Sequence, residues 1–212
     1  MNTKPSASRR NVVLNIEAAA INPSDPRGTV AAHTRSVVCI SMLVDDGISI
    51  IEHSFVSLDE ERLLRQFWGR VNPGDLFIGQ NSLEFDLSFV RQRSWIVGIK
   101  PSSDVDLRRF YSHDLIDIMH MWSQGGATLR PSLEGRDDVL GLQGKTARAS
   151  KVAEWWALGD LDSIAEYCRE DVRLTFQVFL KLTFQTLPDR YNRSVLLAEE
   201  ARNTEIIVHC RD

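Results

Sequence analysis

Apolar and polar positions in the first half of the chain follow the pattern of β-strands. Residues 12–17, 36–44 and 48–55 are rich in β-branched and apolar side chains, and each segment is short enough to be one strand. The Asp-Asp-Gly sequence at residues 45–47 is typical of a tight hairpin turn, which makes the second and third strands antiparallel neighbours. The pattern therefore predicts an antiparallel beginning to a sheet.

Strands and helices alternate in the rest of the chain. Apolar residues that recur three or four positions apart predict helices, and capping residues, glycine and proline mark their ends. The predicted helices cover residues 59–71, 84–95, 132–142, about 160–185 and 190–202, with a short helix at Trp155 and Trp156. Further strands are predicted at residues 76–78, at the beginning of 113–122 and at 205–209. This order predicts an α/β fold, with a mixed sheet and helices on both faces.

Length and composition favour one globular domain. We expect the polar residues 1–10 to be a disordered lead-in and residues 11–212 to form the domain. The lead-in lacks the apolar core of a secretory signal, and the longest apolar run, residues 37–44, is too short to cross a membrane. Three cysteines without a CxxC spacing indicate neither a disulfide framework nor a zinc site. We therefore expect a cytoplasmic protein with no membrane partner, and its net charge of −4 argues against a broad basic surface for nucleic acid.

Three segments carry side chains suited to chemistry. Asn15 and Glu17 interrupt the first strand two positions apart, so both side chains project from one face. Asp86 lies in the first turn of a predicted helix after a glycine-containing strand end, where it either caps the helix or faces a metal ion. Tyr167 and Asp171 lie one turn apart on the long helix. If they face its apolar side, the aspartate needs a partner or a metal ion, and otherwise both are solvated.

These segments together resemble the motifs of the DEDD superfamily of 3′–5′ exonucleases, in its tyrosine subclass. More narrowly, they resemble the predicted exonucleases related to the proofreading domain of family B DNA polymerases. The matching residues are Asn15 and Glu17, Asn81 with Phe85 and Asp86, and Tyr167 with Asp171. Parts of the sequence between the second and third motifs are similar too, and the resemblance covers about residues 11–186.

The resemblance implies a ribonuclease H-like, five-stranded mixed sheet and a nuclease that removes nucleoside 5′-monophosphates from the 3′ ends of single-stranded nucleic acid, with DNA favoured. It also implies two divalent cations, Mg²⁺ or Mn²⁺, which prefer hard oxygen ligands. Tyr167 would orient the attacking water, and Asn81 with Phe85 would hold the terminal nucleotide. The implied metal ligands are the side chains of Asn15, Glu17, Asp86 and Asp171.

Asn15 departs from the family pattern, which has a metal-bridging aspartate at this position. An asparagine is neutral and offers one acceptor oxygen, so three carboxylates remain for two divalent cations. Ala18 also stands where the family commonly has threonine. We therefore expect catalysis by this chain to be impaired or absent. Two interpretations stay open: an exonuclease disabled by one substitution, or a natural pseudoexonuclease that binds single-stranded ends without cutting them.

Basic and aromatic residues near the motifs suggest a second kind of contact with nucleic acid. Candidates for a strand-entry groove are Arg91, Arg93, Lys145, Arg148 and Lys151, with Trp155 or Trp156 as a stacking platform. The competing interpretation is a set of solvated charges beside core tryptophans. His120, between two methionines, is expected to be a packed histidine.

Overall fold

Five strands pair into one mixed sheet. The structure is a computed structural model that describes residues 9–21, 31–108, 113–124, 133, 139–142 and 150–192. The strands are β1 (Asn11–Ala20), β2 (Arg35–Asp45), β3 (Ile50–Val56), β4 (Leu76–Gly79) and β5 (Leu115–Asp117). Their spatial order is β3-β2-β1-β4-β5; the first three are antiparallel neighbours, and β4 runs parallel to β1 and β5. The predicted mixed α/β sheet is confirmed.

Helices cover both faces of this sheet. They are α1 (Glu60–Trp68), α2 (Asp86–Val97), α3 (Ile118–Trp122), α4 (Ser150–Leu158) and α5 (Leu161–Leu182). Asp59 accepts a hydrogen bond from the Arg62 N–H at the beginning of α1, and Asp160 accepts one from the Ser163 N–H at the beginning of α5. These side chains satisfy N–H groups that the first helical turn leaves open, which fixes where both helices begin.

Residues of β1 alternate between two hydrophobic cores. Val12 and Leu14 belong to the core that contains the buried residues of α1, and Val13 belongs to the core that contains those of α5. Successive side chains of a strand point to opposite faces. Asn15 and Glu17 therefore lie on the same face as Val13, which is the face covered by α5.

The first strand extends well beyond the end of β4. Parallel pairing between them ends at Val13 and Ile78, whereas β1 continues to Ala20. In the described part of the chain, no strand pairs with this edge of β1 beyond Val13. The pairing with β2 also shifts register between Glu17 and Ala18, and such irregularities often occur beside active sites. The carboxyl end of β4 thus leaves part of β1 open to side chains.

The beginnings of α2 and of the ordered chain differ from the sequence prediction. α2 begins at Asp86 rather than near residue 84, because Asn81 has a left-handed backbone (φ 59°) and residues 82–85 form turns before the helix. Arg10, which was assigned to the disordered lead-in, forms a 2.6 Å ion pair with the buried Asp75. This ion pair holds the chain just before β1 against the loop that precedes β4.

Several predicted features lie outside the described residues. These are residues 1–8, most of the helix predicted at 132–142, and nearly all of the last predicted helix and strand, at 190–202 and 205–209. The assignment of residues 11–212 to a single domain therefore stays a prediction. No helix within the described ranges is long and apolar enough to cross a bilayer.

Candidate active site

The three polar segments meet beside residues 15 and 16 of β1. Asp86, at the beginning of α2, accepts a hydrogen bond of 3.0 Å from the Ile16 N–H. The thiol of Cys168, in α5, donates to the Asn15 carbonyl oxygen at 3.4 Å. A strand, a loop-to-helix junction and a long helix that are far apart in sequence are therefore in contact at one place.

The carboxylate of Asp86 is enclosed, and both of its oxygens accept hydrogen bonds. Asp86 is 3% exposed, and its second oxygen accepts from the Ser82 hydroxyl at 2.9 Å. Burial raises the pKa of Asp86 to about 7, and the charge of Asp117 adds to this rise. The hydrogen bonds from Ser82 and the Ile16 N–H oppose it, because they favour the charged form. Asp86 thus joins α2 to β1 instead of serving only as a cap.

Ser82 reaches Asp86 because Gly79 has no side chain. A Cβ atom on Gly79 would lie 2.6 Å from the Ser82 Cβ and closer still to its hydroxyl oxygen. Ser82 is fully buried, so it has no room to move away. The glycine at the end of β4 is therefore required by the close approach of the β4–α2 loop, which we define as residues 80–85.

Asp117, the last residue of β5, holds the β4–α2 loop. One of its oxygens accepts from the N–H groups of Asn81 and Met119 at 3.0 and 2.9 Å, and the other accepts from the Leu83 N–H at 3.1 Å. Asp117 is 7% exposed. Asp117 had no role of its own in the sequence prediction. Its position directly between a strand and a helix is typical of an N-cap residue, and this is the sequence signal that could have identified it.

The backbone of Asn81 is hydrogen-bonded within the loop, whereas its side-chain oxygen accepts no hydrogen bond from the described residues. Its carbonyl oxygen accepts from the N–H groups of Glu84 and Phe85 at 3.2 and 2.8 Å. Its side-chain oxygen is buried and has no hydrogen-bond partner among the described residues. Buried acceptors normally have a donor, so this oxygen is available to a ligand. Phe85 packs against the core, with its ring centroid 5.3 Å from that of Phe89.

A cavity of about 330 Å³ opens beside the β4–α2 loop. It is lined by Leu83, Arg108, Leu115, Ile116, Asp117, His120 and Met121. His120 is a packed histidine, as predicted: its side chain is 14% exposed, and its Nε2 lies 4.0 Å from a Glu84 carboxylate oxygen. The loop therefore borders an open space on the side of Asp117.

Acceptor atoms surround the side-chain nitrogen of Asn15. This nitrogen lies 3.4 Å from the Ile16 carbonyl oxygen, 3.4 Å from a Glu17 carboxylate oxygen and 3.5 Å from the Cys168 sulfur. All three distances are near the upper limit for hydrogen bonds. Burial raises the pKa of the Cys168 thiol, and the neighbouring Cys39 adds to the rise. Asn15 is thus held by several weak contacts with neutral or negative groups.

Tyr167 and Asp171 both face inwards from α5. They are 3% and 5% exposed, which excludes the interpretation that they form a solvated pair. The Tyr167 ring lies beside Trp155 of α4, with 6.0 Å between the ring centroids. The long helix therefore brings both predicted site residues to the sheet face on which Asn15 and Glu17 lie.

The predicted strand-entry groove is wrong for Arg93. This residue is buried and forms an ion pair with Glu60 at 2.5 Å, so it joins α2 to the beginning of α1. Arg91 lies over the exposed ring of Trp95, 5.6 Å from the centroid, and pairs with Asp104 at 2.9 Å. Its guanidinium is thus engaged within its own region of the surface.

The remaining groove candidates are on α4 or outside the described residues. Lys151 is exposed and pairs with a carboxylate one turn further along the helix at 2.7 Å. Trp155 and Trp156 are half-buried. Lys145 and Arg148 lie outside the described ranges. The stacking role of the two tryptophans stays a prediction.

Comparison with known proteins identifies the family and the fold. Residues 29–207 match the model of a family described as predicted 3′–5′ exonucleases related to the exonuclease domain of PolB. The chain belongs to this family. The family B DNA polymerase from the hyperthermophilic archaeon Pyrobaculum calidifontis has a similar structure, with a TM-score of 0.64 and 19% identity over 82% of this chain. This chain covers 24% of that polymerase chain, and the likeness confirms the predicted exonuclease fold. No match was found among curated proteins.

Exonuclease domains of this kind generally use divalent metal ions. Glu17, Asp86 and Asp171 carry the hard oxygen ligands that such ions prefer. However, in the described part of the chain, no group of three or more His, Cys, Asp or Glu side chains has the spacing to hold a metal ion. Asn15, which lies outside the span that matches the family model, directs an amide nitrogen towards Glu17. The side chains present do not fit a two-ion centre as they stand.

Proposed function

We propose that this chain has a 3′–5′ exonuclease site for the ends of single-stranded nucleic acid and that Asn15 leaves hydrolysis impaired or absent. The observation that carries the proposal is the convergence of Asp86 and Cys168 on residues 15 and 16 of β1. Membership of an exonuclease family supports the class of reaction. The preference for DNA over RNA rests on the likeness to DNA polymerases.

The protein's own groups have separate tasks in this proposal. Asn81 offers its buried side-chain oxygen to a hydrogen-bond donor of the terminal nucleotide, and Phe85 lies on the same loop. Tyr167, which faces the sheet from α5, orients the attacking water. Hydrolysis of the terminal phosphodiester bond would release a nucleoside 5′-monophosphate and leave a shortened strand.

The charge at position 15 decides whether this site takes cations. An aspartate there would place a second carboxylate beside Glu17, where the Asn15 nitrogen now lies 3.4 Å from a carboxylate oxygen. Two adjacent carboxylates repel each other unless one takes a proton or a cation lies between them. We infer that Asn15→Asp makes the site bind Mg²⁺ or Mn²⁺, with Glu17, Asp86 and Asp171 as the further ligands.

The test is a comparison of the unsubstituted chain with Asn15→Asp. Each protein is incubated with a single-stranded oligonucleotide that is labelled throughout its length and with Mg²⁺ or Mn²⁺, and released nucleoside 5′-monophosphates are measured. We expect the aspartate form to be at least ~100-fold faster, since even ligands outside the first shell of a metal cost up to that factor when lost.

The matched control is Asn15→Asp combined with Asp171→Asn, which restores one carboxylate and removes another. It should be as inactive as the unsubstituted chain, which would exclude a contaminating nuclease. If Asn15→Asp releases no mononucleotides with either metal, the exonuclease proposal is wrong.

A second candidate function is the binding of 3′ ends without hydrolysis. It is favoured by the Asn15 amide, which can donate to Glu17 and so offsets part of the carboxylate charge that a cation would otherwise neutralise. This candidate predicts that the unsubstituted chain binds a single strand with a free 3′-hydroxyl in the presence of a chelator. It also predicts that Asn15→Asp weakens this binding without producing hydrolysis. Fluorescence anisotropy with a labelled oligonucleotide measures the first outcome, and the nuclease assay measures the second.

A further inference from the structure

Asp117 is a buried carboxylate whose contacts are backbone N–H groups. It accepts hydrogen bonds from Asn81, Leu83 and Met119, all between 2.9 and 3.1 Å. Within the described ranges, no ion pair with a Lys, Arg or His side chain is present at this residue. Burying a charge is costly unless hydrogen bonds compensate for it. Three hydrogen bonds of ordinary length from backbone N–H groups provide that compensation.

Two of these three hydrogen bonds fix the β4–α2 loop. The N–H groups of Asn81 and Leu83 point towards Asp117, one to each carboxylate oxygen. The residue between them, Ser82, donates its hydroxyl to Asp86 on the other side of the loop. The loop is therefore held from both sides: its backbone N–H groups donate to Asp117, and its Ser82 side chain donates to Asp86.

The left-handed backbone of Asn81 depends on such support. A φ of 59° is uncommon for residues other than glycine, although asparagine tolerates it better than most. In this conformation the Asn81 side-chain oxygen is buried without a hydrogen-bond partner among the described residues. A small rotation of the loop would move that oxygen and change what it can bind.

We propose that Asp117 is a positioning residue, which holds the β4–α2 loop so that Asn81 presents its side-chain oxygen to the terminal nucleotide. This inference rests on the proposed function, because it concerns the same nucleotide end. Asp117 also lines the cavity beside the loop, so it borders open space while its oxygens face the backbone. Its effect on nucleic acid is through Asn81 and not by direct contact.

Asp75 offers a matched control at the other end of β4. It is also buried, at 4% exposure, and its carboxylate accepts from the Asn72 N–H at 2.8 Å. Unlike Asp117, it pairs with an arginine, Arg10, at 2.6 Å. Loss of either carboxylate should lower the melting temperature. Only loss of the Asp117 carboxylate should change nucleotide binding.

The experiment measures the binding of a 5′-fluorescein-labelled single-stranded DNA with a free 3′-hydroxyl. Binding is followed by fluorescence anisotropy in the presence of a chelator, which removes divalent metal ions. Asp117→Asn should weaken binding roughly tenfold, the equivalent of one hydrogen bond to a well-placed group. Asp75→Asn should leave the Kd within about twofold, because it is remote from the loop. Asp117→Ser is a second variant, since serine still caps α3 but is too short to hold the loop. It should weaken binding as Asp117→Asn does.

A double-mutant cycle separates positioning from general loss of stability. Asn81→Gly keeps the left-handed backbone and removes the side chain. If Asp117 acts through Asn81, Asp117→Asn should have little further effect on Kd in the Asn81→Gly protein. Fully additive effects, or equal weakening by Asp75→Asn and Asp117→Asn, would overturn the inference while leaving the proposed function intact. Absence of any binding by the unsubstituted chain, with no hydrolysis by Asn15→Asp, would overturn both.

Discussion

Residues 15 and 86 are neighbours in one site, yet their surroundings differ in kind. The Asp86 oxygens accept hydrogen bonds of 3.0 and 2.9 Å from the Ile16 N–H and the Ser82 hydroxyl. The Asn15 side-chain nitrogen instead has three acceptors at 3.4 to 3.5 Å. Donors suit a carboxylate, whereas acceptors suit an amide or a cation. The surroundings of Asp86, which we call the loop side of the site, therefore suit a carboxylate. The surroundings of Asn15, which we call the strand side, suit a carboxylate only when a cation is bound there.

The difference follows from how β1 is paired. On the β4 side, pairing ends at Val13, so the Ile16 N–H is open and Asp86 occupies the position. On the β2 side, Asn15 lies opposite Ser41, whose hydroxyl is engaged with Ser54 at 2.8 Å. The end of a short parallel strand thus creates a donor-rich place for Asp86, and the continuous antiparallel pairing creates none for residue 15.

The largest effect is expected when the Asp86 charge is removed from an active protein. In the Asn15→Asp background, Asp86→Asn should lower mononucleotide release at least ~100-fold, since it again leaves three carboxylates and places an amide against two donors. Single-turnover release from labelled single-stranded DNA measures the change. The control is Asp75→Asn in the same background, which should stay within about threefold. An equal loss in both proteins would mean that only a general loss of stability is being measured.

The next effect is the contribution of Asp86 to the pH dependence of stability. Its pKa is about 7 in the folded protein and near 3.8 when unfolded, so the folded state keeps a proton that the unfolded state has lost. The resulting stabilisation is complete below about pH 3.8 and is lost as the pH rises through about 7. It amounts to at most about 4 kcal/mol.

Chemical denaturation in a chelator, from pH 5 to pH 8, measures this contribution. The free energy of unfolding of the unsubstituted chain should fall with rising pH relative to that of Asp86→Asn. Parallel pH profiles for the two proteins would show that the buried carboxylate is already ionised at pH 5, as its two donors alone would favour.

A smaller effect is expected from filling the space at Gly79. In Gly79→Ala the new methyl group would lie 2.6 Å from the Ser82 Cβ and still closer to its hydroxyl, so the loop must shift. We expect destabilisation of about 1–3 kcal/mol, measured by denaturation, together with loss of the hydrogen bond to Asp86. Gly69→Ala is the matched control, because its nearest contact would be 3.2 Å and its backbone is right-handed. Equal stability of the two variants would mean that the loop adapts freely.

Periodicity in the sequence was sufficient to predict which residues share a face on β1 and on α5. Alternation along β1 placed Asn15 and Glu17 on one face, and the four-residue spacing placed Tyr167 with Asp171, because both patterns follow from backbone geometry alone. Whether that helical pair faced inwards was left open, since the sequence does not state which face of α5 meets the sheet. The burial of both residues answers that question.

The loop side was less predictable, because its contacts join residues far apart in sequence. No periodic pattern indicates that Asp117 would accept from Asn81 and Leu83, or that a glycine would be needed for the approach of Ser82. The prediction that Arg93 lines a nucleic-acid groove was wrong for a similar reason. A basic residue near a motif suggests a contact with nucleic acid, but Arg93 forms an ion pair with Glu60, which is far away in sequence. Hydrogen-bond partners of this kind are defined by the fold and have no local signature.

The smallest expected effect comes from removing one polar atom on each side of the site. Ser82→Ala and Cys168→Ala should each lower the free energy of unfolding by roughly 1–2 kcal/mol. They should differ in the pH profile of stability measured in a chelator. Ser82→Ala removes a 2.9 Å hydrogen bond that lowers the pKa of Asp86. The loss of stability, which begins near the unfolded-state pKa in both proteins, should therefore continue to a higher pH in this variant. Cys168→Ala should leave the profile in place, because its thiol contacts Asn15 and Cys39 and not Asp86. Equal shifts in both variants would show that the two sides of the site are coupled.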